Sequence, residues 1–410
     1  NNLLNGVNHP NGVIINYTLK EFNENDYVKL DIIDNNNNLI RLLMNTELSV
    51  EELIDPLQTV IGVVEKKQSL PILSHVLIQL KDQILTLTTT DMELEISASN
   101  KIQSTEEVSF TIYAKDLIDI VRRLPEKTQI KFRIEEKKIY LNANNNTFEL
   151  NTFNHLDFPA LPKTQDTSVV KIKQDDLKTL IENTSFSMGN QDIRAYLNGL
   201  FFEVNNDSIT VVATDGHRLS VGEIKQNNKL NEKKTVILPR KAVIELTKLL
   251  NKSSQKMAEI HLSDNYFSLV DSNTKIISRL IDGNFPNYKQ VMPTDFTNTV
   301  VINRADFLSN LQQASIFVEE RTKGVKLVFR DDKLSIFSHS ERGRAETQIT
   351  VKNQEKELEI AFNIHYLISV LEKLTADEIN MVIPGGENKS CLLSSIGDET
   401  YQYIVMPMRI

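Results

Sequence analysis

The sequence predicts an α+β protein made of three tandem repeats, each with two helices and about eight short strands. The first observation is a helix with one apolar face, whose Leu117 recurs as Val243 after 126 positions and as Leu367 after a further 124. The second is the pair Thr90-Asp91, which recurs as Thr214-Asp215 after 124 positions. A period of this length fits three units into the 410 residues, each with its helices on one side of its sheets.

The helices occupy corresponding places in the three repeats. They are predicted at residues 49–64, 114–124, 175–186, 239–250, 304–316 and 363–374. The first opens with a capping box, because Ser49 is followed three residues later by Glu52. The last has Asn363 as its predicted N-cap.

Alternating apolar and polar residues, as in residues 128–134 and 326–329, predict strands with one buried face between these helices. The predicted domain boundaries are 44–165, 166–293 and 294–410. Residues 1–43 have no counterpart later in the chain, and twelve of them are asparagine. We interpret them as an extension outside the repeats, and Met44 as a possible native start.

The composition is typical of a folded globular protein with 40% hydrophobic and 25% charged residues. No apolar run is long enough for a membrane helix, and no secretory signal pattern stands at the amino end. The single cysteine, Cys391, excludes an internal disulfide framework and favours a reducing, cytoplasmic location.

The formal charge of −9 argues against a generally basic nucleic-acid binder, but net charge does not describe any one face. Lysine and arginine recur on or beside the predicted helices of all three repeats. They are Lys66, Lys67, Lys115, Arg122, Arg123, Lys178, Arg240, Lys241, Lys248, Lys252, Arg304, Arg321, Lys323 and Lys373. For one helix, a solvated face is the simpler interpretation. Repetition over three domains favours a surface that faces a polyanion.

The pair Asp215 and His217 leaves an enzyme open as a second hypothesis, such as a metal hydrolase. The sequence gives it little support: the seven histidines are scattered, there is no His-Glu-x-x-His motif, and no cysteine pair could bind zinc. A glycine loop that could cradle phosphates is also missing, so we expect no cofactor. A third hypothesis is a non-catalytic repeat scaffold that binds only proteins.

Four stretches carry a resemblance to a known family. They are residues 191–199 (QDIRAYLNG), 213–219 (ATDGHRL), 282–288 (DGNFPNY) and 405–409 (VMPMR). In this order and spacing, the chain from residue 44 to 410 resembles the bacterial beta sliding clamps, the non-catalytic processivity subunits of DNA polymerase III. The resemblance implies three clamp domains that form half of a closed ring, with helices around duplex DNA and sheets outside.

The resemblance also implies DNA contacts at Lys67, Gln191, Arg194 and Tyr196, without sequence specificity. An aromatic residue expected beside Tyr196 is Ala195 here, which puts stacking at that point in doubt. For Arg194, a surface salt bridge is the alternative role.

A partner-peptide pocket between the second and third domains is a further implication. The matching positions are Leu197, Thr214, Gly216, His217, Arg218, Leu219, Pro286, Val291, Asn363, Tyr366, Ser390, Ile404, Met406, Pro407, Met408 and Arg409. Adaptable methionine and leucine side chains suit varied apolar ligands. The alternative for the two methionines is ordinary core packing.

The resemblance implies a head-to-tail homodimer, with Phe148 and Leu150 of one copy against Ile316 and Phe317 of the other. Burial of these four residues in their own domains is the alternative. Other implied partners are the clamp loader, the replicative polymerase alpha subunit, and further polymerases or repair proteins that carry clamp-binding peptides. The implied location is cytoplasmic, at the nucleoid during replication, with no membrane partner.

Overall fold

The computed structural model repeats one order of elements, β–α–β–β–β–β–α–β–β–β, three times along the chain. It describes residues 32–33, 39–40, 44–65, 70–104, 106–135, 137–162, 168–230, 232–250, 256–294, 296, 298–352, 357–383 and 390–409. Each copy, called a unit below, therefore has two helices and eight strands, and the predicted α+β class is confirmed. Most of the predicted extension, residues 1–43, lies outside the described residues, apart from the hairpin of β1 (Ile32–Ile33) and β2 (Leu39–Ile40).

The elements of each unit follow in chain order. The first unit comprises β3 (Met44–Ser49), α1 (Val50–Val60), β4 (His75–Lys81), β5 (Ile84–Thr90), β6 (Leu94–Lys101), β7 (Val108–Tyr113), α2 (Ala114–Val121), β8 (Gln129–Ile134), β9 (Lys138–Ala143) and β10 (Asn146–Asn151). The second comprises β11 (Ser168–Lys173), α3 (Gln174–Thr184), β12 (Gly199–Val204), β13 (Ser208–Thr214), β14 (Arg218–Lys225), β15 (Lys234–Pro239), α4 (Arg240–Leu250), β16 (Met257–Leu262), β17 (Tyr266–Val270) and β18 (Thr274–Arg279). The third comprises β19 (Thr299–Asn303), α5 (Arg304–Ala314), β20 (Gly324–Arg330), β21 (Lys333–Ser340), β22 (Gly343–Thr350), β23 (Leu358–Asn363), α6 (Ile364–Leu371), β24 (Glu378–Val382), β25 (Cys391–Ser395) and β26 (Asp398–Val405).

Local side-chain bonds explain where the helices begin. The Ser49 hydroxyl accepts a hydrogen bond from the Glu52 amide at 3.2 Å, and the Glu52 carboxylate accepts one from the Ser49 amide at 2.7 Å, so the predicted capping box is confirmed. Asn363 caps α6 by accepting from the His365 amide at 3.0 Å, also as predicted. Helix α4 ends at Leu250, as predicted. The other five end two to four residues earlier than predicted, and tighter 3-10 turns follow α1, α3 and α5.

The strands form two eight-stranded and two four-stranded sheets besides the small hairpin. The first eight-stranded sheet joins the first two units through antiparallel pairing of β6 with β18. The second joins the last two units through β14 and β26. The four-stranded sheets, in the orders β10-β9-β8-β3 and β22-β21-β20-β23, leave β10 and β22 as edge strands. Neighbouring units of this chain are therefore joined by continuous sheets.

Each unit packs its helices against its strands through fully buried aliphatic residues. In α1, Leu53, Leu57 and Val60 have no exposed surface and pack in the core that the first two units share. Each such side chain contributes about 2 kcal/mol through removal of apolar surface from water. A smaller apolar cluster lies between the second and third units and includes Leu219, Ile404 and Tyr288.

Some of the helix cations predicted to face a polyanion bind the protein itself. Lys241 of α4 pairs with Glu65 and Asp91 of the first unit. Arg240 donates to the carbonyl oxygens of Met188 and Gly189, and Arg304 donates to two further carbonyls. These side chains connect units or loops, so the pattern of helix cations overestimated the charge available to a ligand.

Candidate functional site at the junction of the second and third units

The turn between β13 and β14 is built from residues 214–217. The Asp215 Oδ1 atom accepts hydrogen bonds from the backbone amides of His217 at 2.9 Å and Arg218 at 3.0 Å. Thr214 Oγ1 donates to the Arg218 carbonyl at 2.6 Å and accepts from the Gly216 amide at 3.0 Å. Gly216 has a φ of +88°, a backbone conformation that is unfavourable for residues with a side chain. Asp215 therefore shapes the turn.

The guanidinium of Arg218 connects the turn to the third unit. It donates to Asp215 Oδ2 at 3.0 Å, to the Phe186 carbonyl at 2.7 Å and to the Ser369 hydroxyl of α6 at 2.9 Å. It also lies over the ring of Tyr366, 4.7 Å from the ring centroid. Both charged side chains are mostly buried, with 16% of Arg218 and 17% of Asp215 exposed. The guanidinium of Arg218 is thus hydrogen-bonded within the chain, and its side chain forms part of the wall of the site.

The carboxyl-terminal segment lies against this turn. Strand β26 pairs with β14 so that Val405 is opposite Arg218 and Ile404 is opposite Leu219. Beyond the strand, the Met406 amide donates to the His217 carbonyl at 2.8 Å, and the Met408 amide donates to the Ala361 carbonyl of β23 at 2.8 Å. Stretches almost 200 residues apart in sequence, around His217 and Met406, thus share one surface.

A cavity of about 210 Å³ opens at this surface. It is lined by Arg194, Tyr196, Leu197, Thr214, Gly216, Arg218, Leu219, Pro286, Asn287, Tyr288, Val291, Ile404 and Met406. Nine of the sixteen residues predicted for the pocket are among them. Its floor belongs to the buried cluster between the units, in which the rings of Phe201 and Phe285 stack at 4.7 Å. The cavity is apolar with a few polar groups at its rim, as small-ligand and peptide sites commonly are.

The other predicted pocket residues lie around the cavity. Ser390 donates to the Val291 carbonyl at 2.6 Å, Tyr366 supports Arg218, Asn363 caps α6, and exposed His217 offers its carbonyl to Met406. The remaining three, Pro407, Met408 and Arg409, line a larger neighbouring groove of about 1120 Å³. The groove continues over Lys326, Phe337 and Glu359 on the outer face of the third unit.

Family models for the DNA polymerase III beta subunit match the chain in three consecutive segments. The N-terminal domain model matches residues 44–162, the central domain model 171–287, and the C-terminal domain model 289–409. The chain belongs to the DNA polymerase III beta-subunit family. This family supplies the non-catalytic processivity subunit of the polymerase, the sliding clamp.

Curated relatives named beta sliding clamp align with nearly the whole chain. The protein from Haemophilus influenzae is 36% identical over 369 residues, which are 90% of this chain and 100% of the relative. The one from Escherichia coli K12 is 33% identical over 362 residues, which are 88% and 98% of the two chains.

Solved sliding-clamp structures share the fold over the same length. The DNA polymerase III subunit beta from Pseudomonas aeruginosa matches with a TM-score of 0.86 at 33% identity, covering 90% of this chain and 100% of that one. A sliding clamp from the same organism, bound to griselimycin, matches with a TM-score of 0.85 at 33% identity and the same coverage.

Two of the residues predicted to contact DNA line the cavity of this beta subunit. Arg194 and Tyr196 both reach it, and Arg194 pairs with Asp192 through bonds of 3.0 and 2.9 Å. These bonds lower the pKa of Asp192 to about 2. Gln191 is exposed in the loop that precedes them, and Ala195 begins the short turn Ala195–Asn198. Lys67 lies outside the described residues.

The four residues predicted for the dimer contact lie near the two edge strands. Phe148 and Leu150 are on β10, half-buried against their own core. Ile316 is 59% exposed, and Phe317 contacts the turn of Gly343 that begins β22. The alternative, burial of all four residues in their own units, does not hold for Ile316.

Sequence reasoning did not assign Asn287 and Tyr288 to the cavity, although both stand in the stretch Phe-Pro-Asn-Tyr that it singled out. Burial raises the pKa of Tyr288 to about 12, so its hydroxyl stays protonated. Among the described residues, no three histidine, cysteine, aspartate or glutamate side chains are grouped closely enough to bind a metal. Over the same residues, no helix is long and apolar enough to cross a membrane.

Proposed function

We propose that this chain is a sliding clamp that encircles duplex DNA as a head-to-tail homodimer and tethers the replicative polymerase to it. The observation that carries the proposal is the pair of sheet edges, β10 in the first unit and β22 in the third, that have no partner strand among the residues the structure describes. Corresponding strands pair at both internal junctions. Two such edges on a second copy would close a ring of six units, and unpaired edges favour association with another chain.

The cavity between the second and third units is the proposed site for partner peptides. Its apolar base and flexible Met406 suit the apolar side chains of a short peptide. The griselimycin complex of the Pseudomonas aeruginosa clamp supports ligand binding by this fold. We propose the polymerase alpha subunit, other polymerases, repair proteins and the clamp loader as its partners.

DNA contacts are proposed for Lys67 and Gln191, which would touch phosphates without reading sequence. Arg194 and Tyr196 belong to the same proposed surface at its border with the pocket. Closure of a ring allows each contact to be weak, because topology retains the protein on DNA. The proposed location is cytoplasmic, at the nucleoid during replication.

The proposed domains are residues 44–165, 166–293 and 294–410, with residues 1–43 as an extension. Both internal boundaries fall between strands, since β10 ends at Asn151 before β11 at Ser168, and β18 ends at Arg279 before β19 at Thr299.

Retention on DNA of different topology tests the ring. The protein is loaded by a clamp loader onto nicked circular DNA and passed through a gel-filtration column. We expect it to travel with the circle and to be lost when a restriction enzyme linearises the DNA. Equal loss from both forms would reject encirclement and favour a scaffold that binds only proteins. Equal retention on both would indicate ordinary DNA binding.

A further inference from the structure

A second opening, with a volume of about 600 Å³, lies beside the cavity at the sheet that joins the second and third units. Its lining residues, all different from the sixteen predicted for the partner-peptide pocket, are Thr210, Val221, Glu223, Lys225, Tyr288, Lys289, Met292, Pro293, Phe296, Leu392, Glu399, Thr400 and Gln402. We call it the connector groove, because the segment that connects β18 to β19 forms one of its walls.

Strand positions show that the cavity and the connector groove follow each other along one face of this sheet. On β14, Leu219 lines the cavity, and Val221 and Glu223 line the groove. On β26, Ile404 lines the cavity and Gln402 lines the groove. The register pairs the two cavity residues with each other and the two groove residues, Val221 and Gln402, with each other. Alternate residues of a strand share a face and are about 7 Å apart, so the two openings are neighbours.

A short turn that begins at Tyr288 separates the two openings. Tyr288 lines both of them, while Val291 lines the cavity and Met292 lines the groove. The Ser390 hydroxyl donates to the Val291 carbonyl at 2.6 Å and so fixes the end of the turn to the third unit. A chain that occupies both openings therefore has to pass over this turn, where Lys289 is exposed.

Apolar side chains form the base of the connector groove. Val221, Leu392 and Tyr288 belong to the buried cluster between the units, and Met292 packs against that cluster. Phe296 also lines the groove, and 57% of its surface is exposed. An exposed phenylalanine ring beside an adaptable methionine suits a large apolar side chain of a ligand.

Two of the four charged residues in the groove are neutralised within the chain. The Glu223 carboxylate accepts a hydrogen bond from the Thr210 hydroxyl at 3.0 Å and pairs with Lys225. The other two, Lys289 and Glu399, are exposed and form no salt bridge with any residue that the structure describes. These two charges are therefore available to a ligand.

Lys289 and Glu399 stand at opposite ends of the groove. Lys289 is next to the cavity, because its ammonium lies over the ring of Tyr288, 5.9 Å from the ring centroid, and both openings share Tyr288. Glu399 stands five residues before Ile404 on β26, which corresponds to about 17 Å of strand. A chain that leads away from the cavity thus meets a cation first and an anion last.

We propose that the connector groove binds the stretch of a partner protein that directly adjoins the peptide bound in the cavity. This stretch places an acidic side chain at Lys289, a large apolar side chain between Met292 and Phe296, and a basic side chain at Glu399. Its acidic residue is the one nearest the cavity. The inference rests on the proposed function, because it extends the contact of the same partner beyond the peptide pocket.

The groove distinguishes partners that bind the cavity in the same way. A stretch that is tethered by its neighbour in the cavity reaches the groove at a high effective concentration, so a weak contact there adds measurable affinity. Opposite charges at the two ends fix the direction and register of the bound stretch. Partners with similar pocket peptides therefore differ in affinity according to the residues beside those peptides.

Calorimetry with designed peptides tests the groove on the full chain. A short clamp-binding peptide from the polymerase alpha subunit fills only the cavity. Two longer peptides add the segment Asp-Gly-Phe-Gly-Lys, at the carboxyl end in one and in reverse order at the amino end in the other. Five extended residues span about 17 Å, the length of the groove, and the acidic residue is nearest the cavity in both. We expect one of the longer peptides to bind about tenfold more tightly than the short one.

Two variants show whether this gain comes from the groove. Lys289→Glu and Phe296→Ala alter exposed side chains, so we expect both proteins to fold and to bind the short peptide as the parent does. Both should lose most of the tenfold gain of the longer peptide. The matched controls Lys333→Glu and Ile244→Ala alter an exposed charge and an exposed isoleucine outside the groove, and should keep the gain.

The possible failures are distinguishable. Equal affinities of all three peptides would overturn the groove and leave the peptide pocket standing. A gain that persists in both groove variants would show that the added residues bind elsewhere, and would overturn it as well. Failure of the short peptide to bind the parent protein would reject the pocket of the proposed function and this inference with it.

Cysteine labelling tests whether the whole polymerase alpha subunit uses the groove. Thr400→Cys places a thiol in the groove, and the native Cys391 is fully buried and does not react. We expect the alpha subunit to slow maleimide labelling of Thr400→Cys about tenfold, the short peptide to leave it unchanged, and Lys81→Cys in the first unit to label equally fast throughout. Unchanged labelling of Thr400→Cys with the alpha subunit bound would overturn the proposed occupant.

Discussion

The backbone amide of Met406 donates a hydrogen bond to the backbone carbonyl of His217 at 2.8 Å. This bond continues the ladder between β14 and β26 beyond the last residue of β26, Val405. It holds the Met406 side chain at the cavity and joins the carboxyl-terminal segment to the turn of the second unit. Met406, the first residue after the last strand, is therefore part of the cavity wall.

Removal of residues 406–410 should abolish binding of clamp-binding peptides and leave the fold intact. The deletion spares β26, which ends at Val405, but removes Met406 from the cavity. Isothermal titration calorimetry with a peptide from the polymerase alpha subunit measures the loss. Deletion of residue 410 alone keeps Arg409 and the bonds of Met406 and Met408, and serves as the control. Unchanged affinity in the longer deletion would refute the pocket assignment.

Replacement of Arg218 by methionine should destabilise the junction of the second and third units. It leaves the Asp215 carboxylate, 17% exposed, without its cation and removes bonds to Phe186 and Ser369. Breaking a largely buried pair costs about 3 kcal/mol. Urea unfolding measures this loss. In a double-mutant cycle with Asp215→Asn, the two substitutions should cost less together than the sum of their separate effects, and strict additivity would argue against coupling.

Local signals in the sequence predicted much of the fold. The capping box joins Ser49 and Glu52, three positions apart, and apolar residues of the helices recur every three or four positions, so both patterns can be read from the sequence. The bonds of Arg218 could not be read from the sequence in this way. Its acceptors lie 32 and 151 residues away, and their approach depends on how whole units pack.

The cavity, too, was predictable from the sequence only in part. Nine of its lining residues were predicted through the family resemblance, which rests on four short stretches of sequence in a fixed order. The resemblance predicts a DNA contact for Arg194, and the structure also places Arg194 at the cavity, where Asp192 binds its guanidinium. In this loop Gln191 has a φ of 57°, a backbone conformation that its residue type alone does not predict.

His75 should make the protein less stable in acid. The ring is 4% exposed, neither ring nitrogen has a hydrogen-bond partner, and the rings of Phe153 and Tyr113 lie edge-on at 4.8 and 5.8 Å. Burial lowers its pKa from 6.5 to about 4. Since the unfolded chain binds a proton more readily, stability from neutral His75 is present above the unfolded pKa and declines as the pH falls from 6.5 toward 4.

The variant His75→Phe isolates this effect, because phenylalanine fills a similar volume and does not titrate. Between about pH 7 and about pH 4.5, the variant should gain about 2 kcal/mol of unfolding free energy relative to the parent protein. Urea unfolding at several pH values measures the difference. Parallel pH profiles for the two proteins would contradict the role of His75.

Replacement of both Ile316 and Phe317 by alanine should yield monomers without unfolding the third unit. Ile316 is 59% exposed in the single chain, so its truncation removes little buried surface there, and half-buried Phe317 contributes modestly. In the proposed ring, both side chains would be covered by the partner's edge strand and become central apolar anchors, whose loss commonly costs about 2 kcal/mol or more each. Because a ring has two such contacts, the loss of dimer stability is doubled.

Sedimentation velocity measures the mass of the variant. The matched control is Ile396→Ala, which truncates another exposed isoleucine of the third unit and should remain dimeric. An unaltered dimer mass for the double variant would show that this surface does not form the contact.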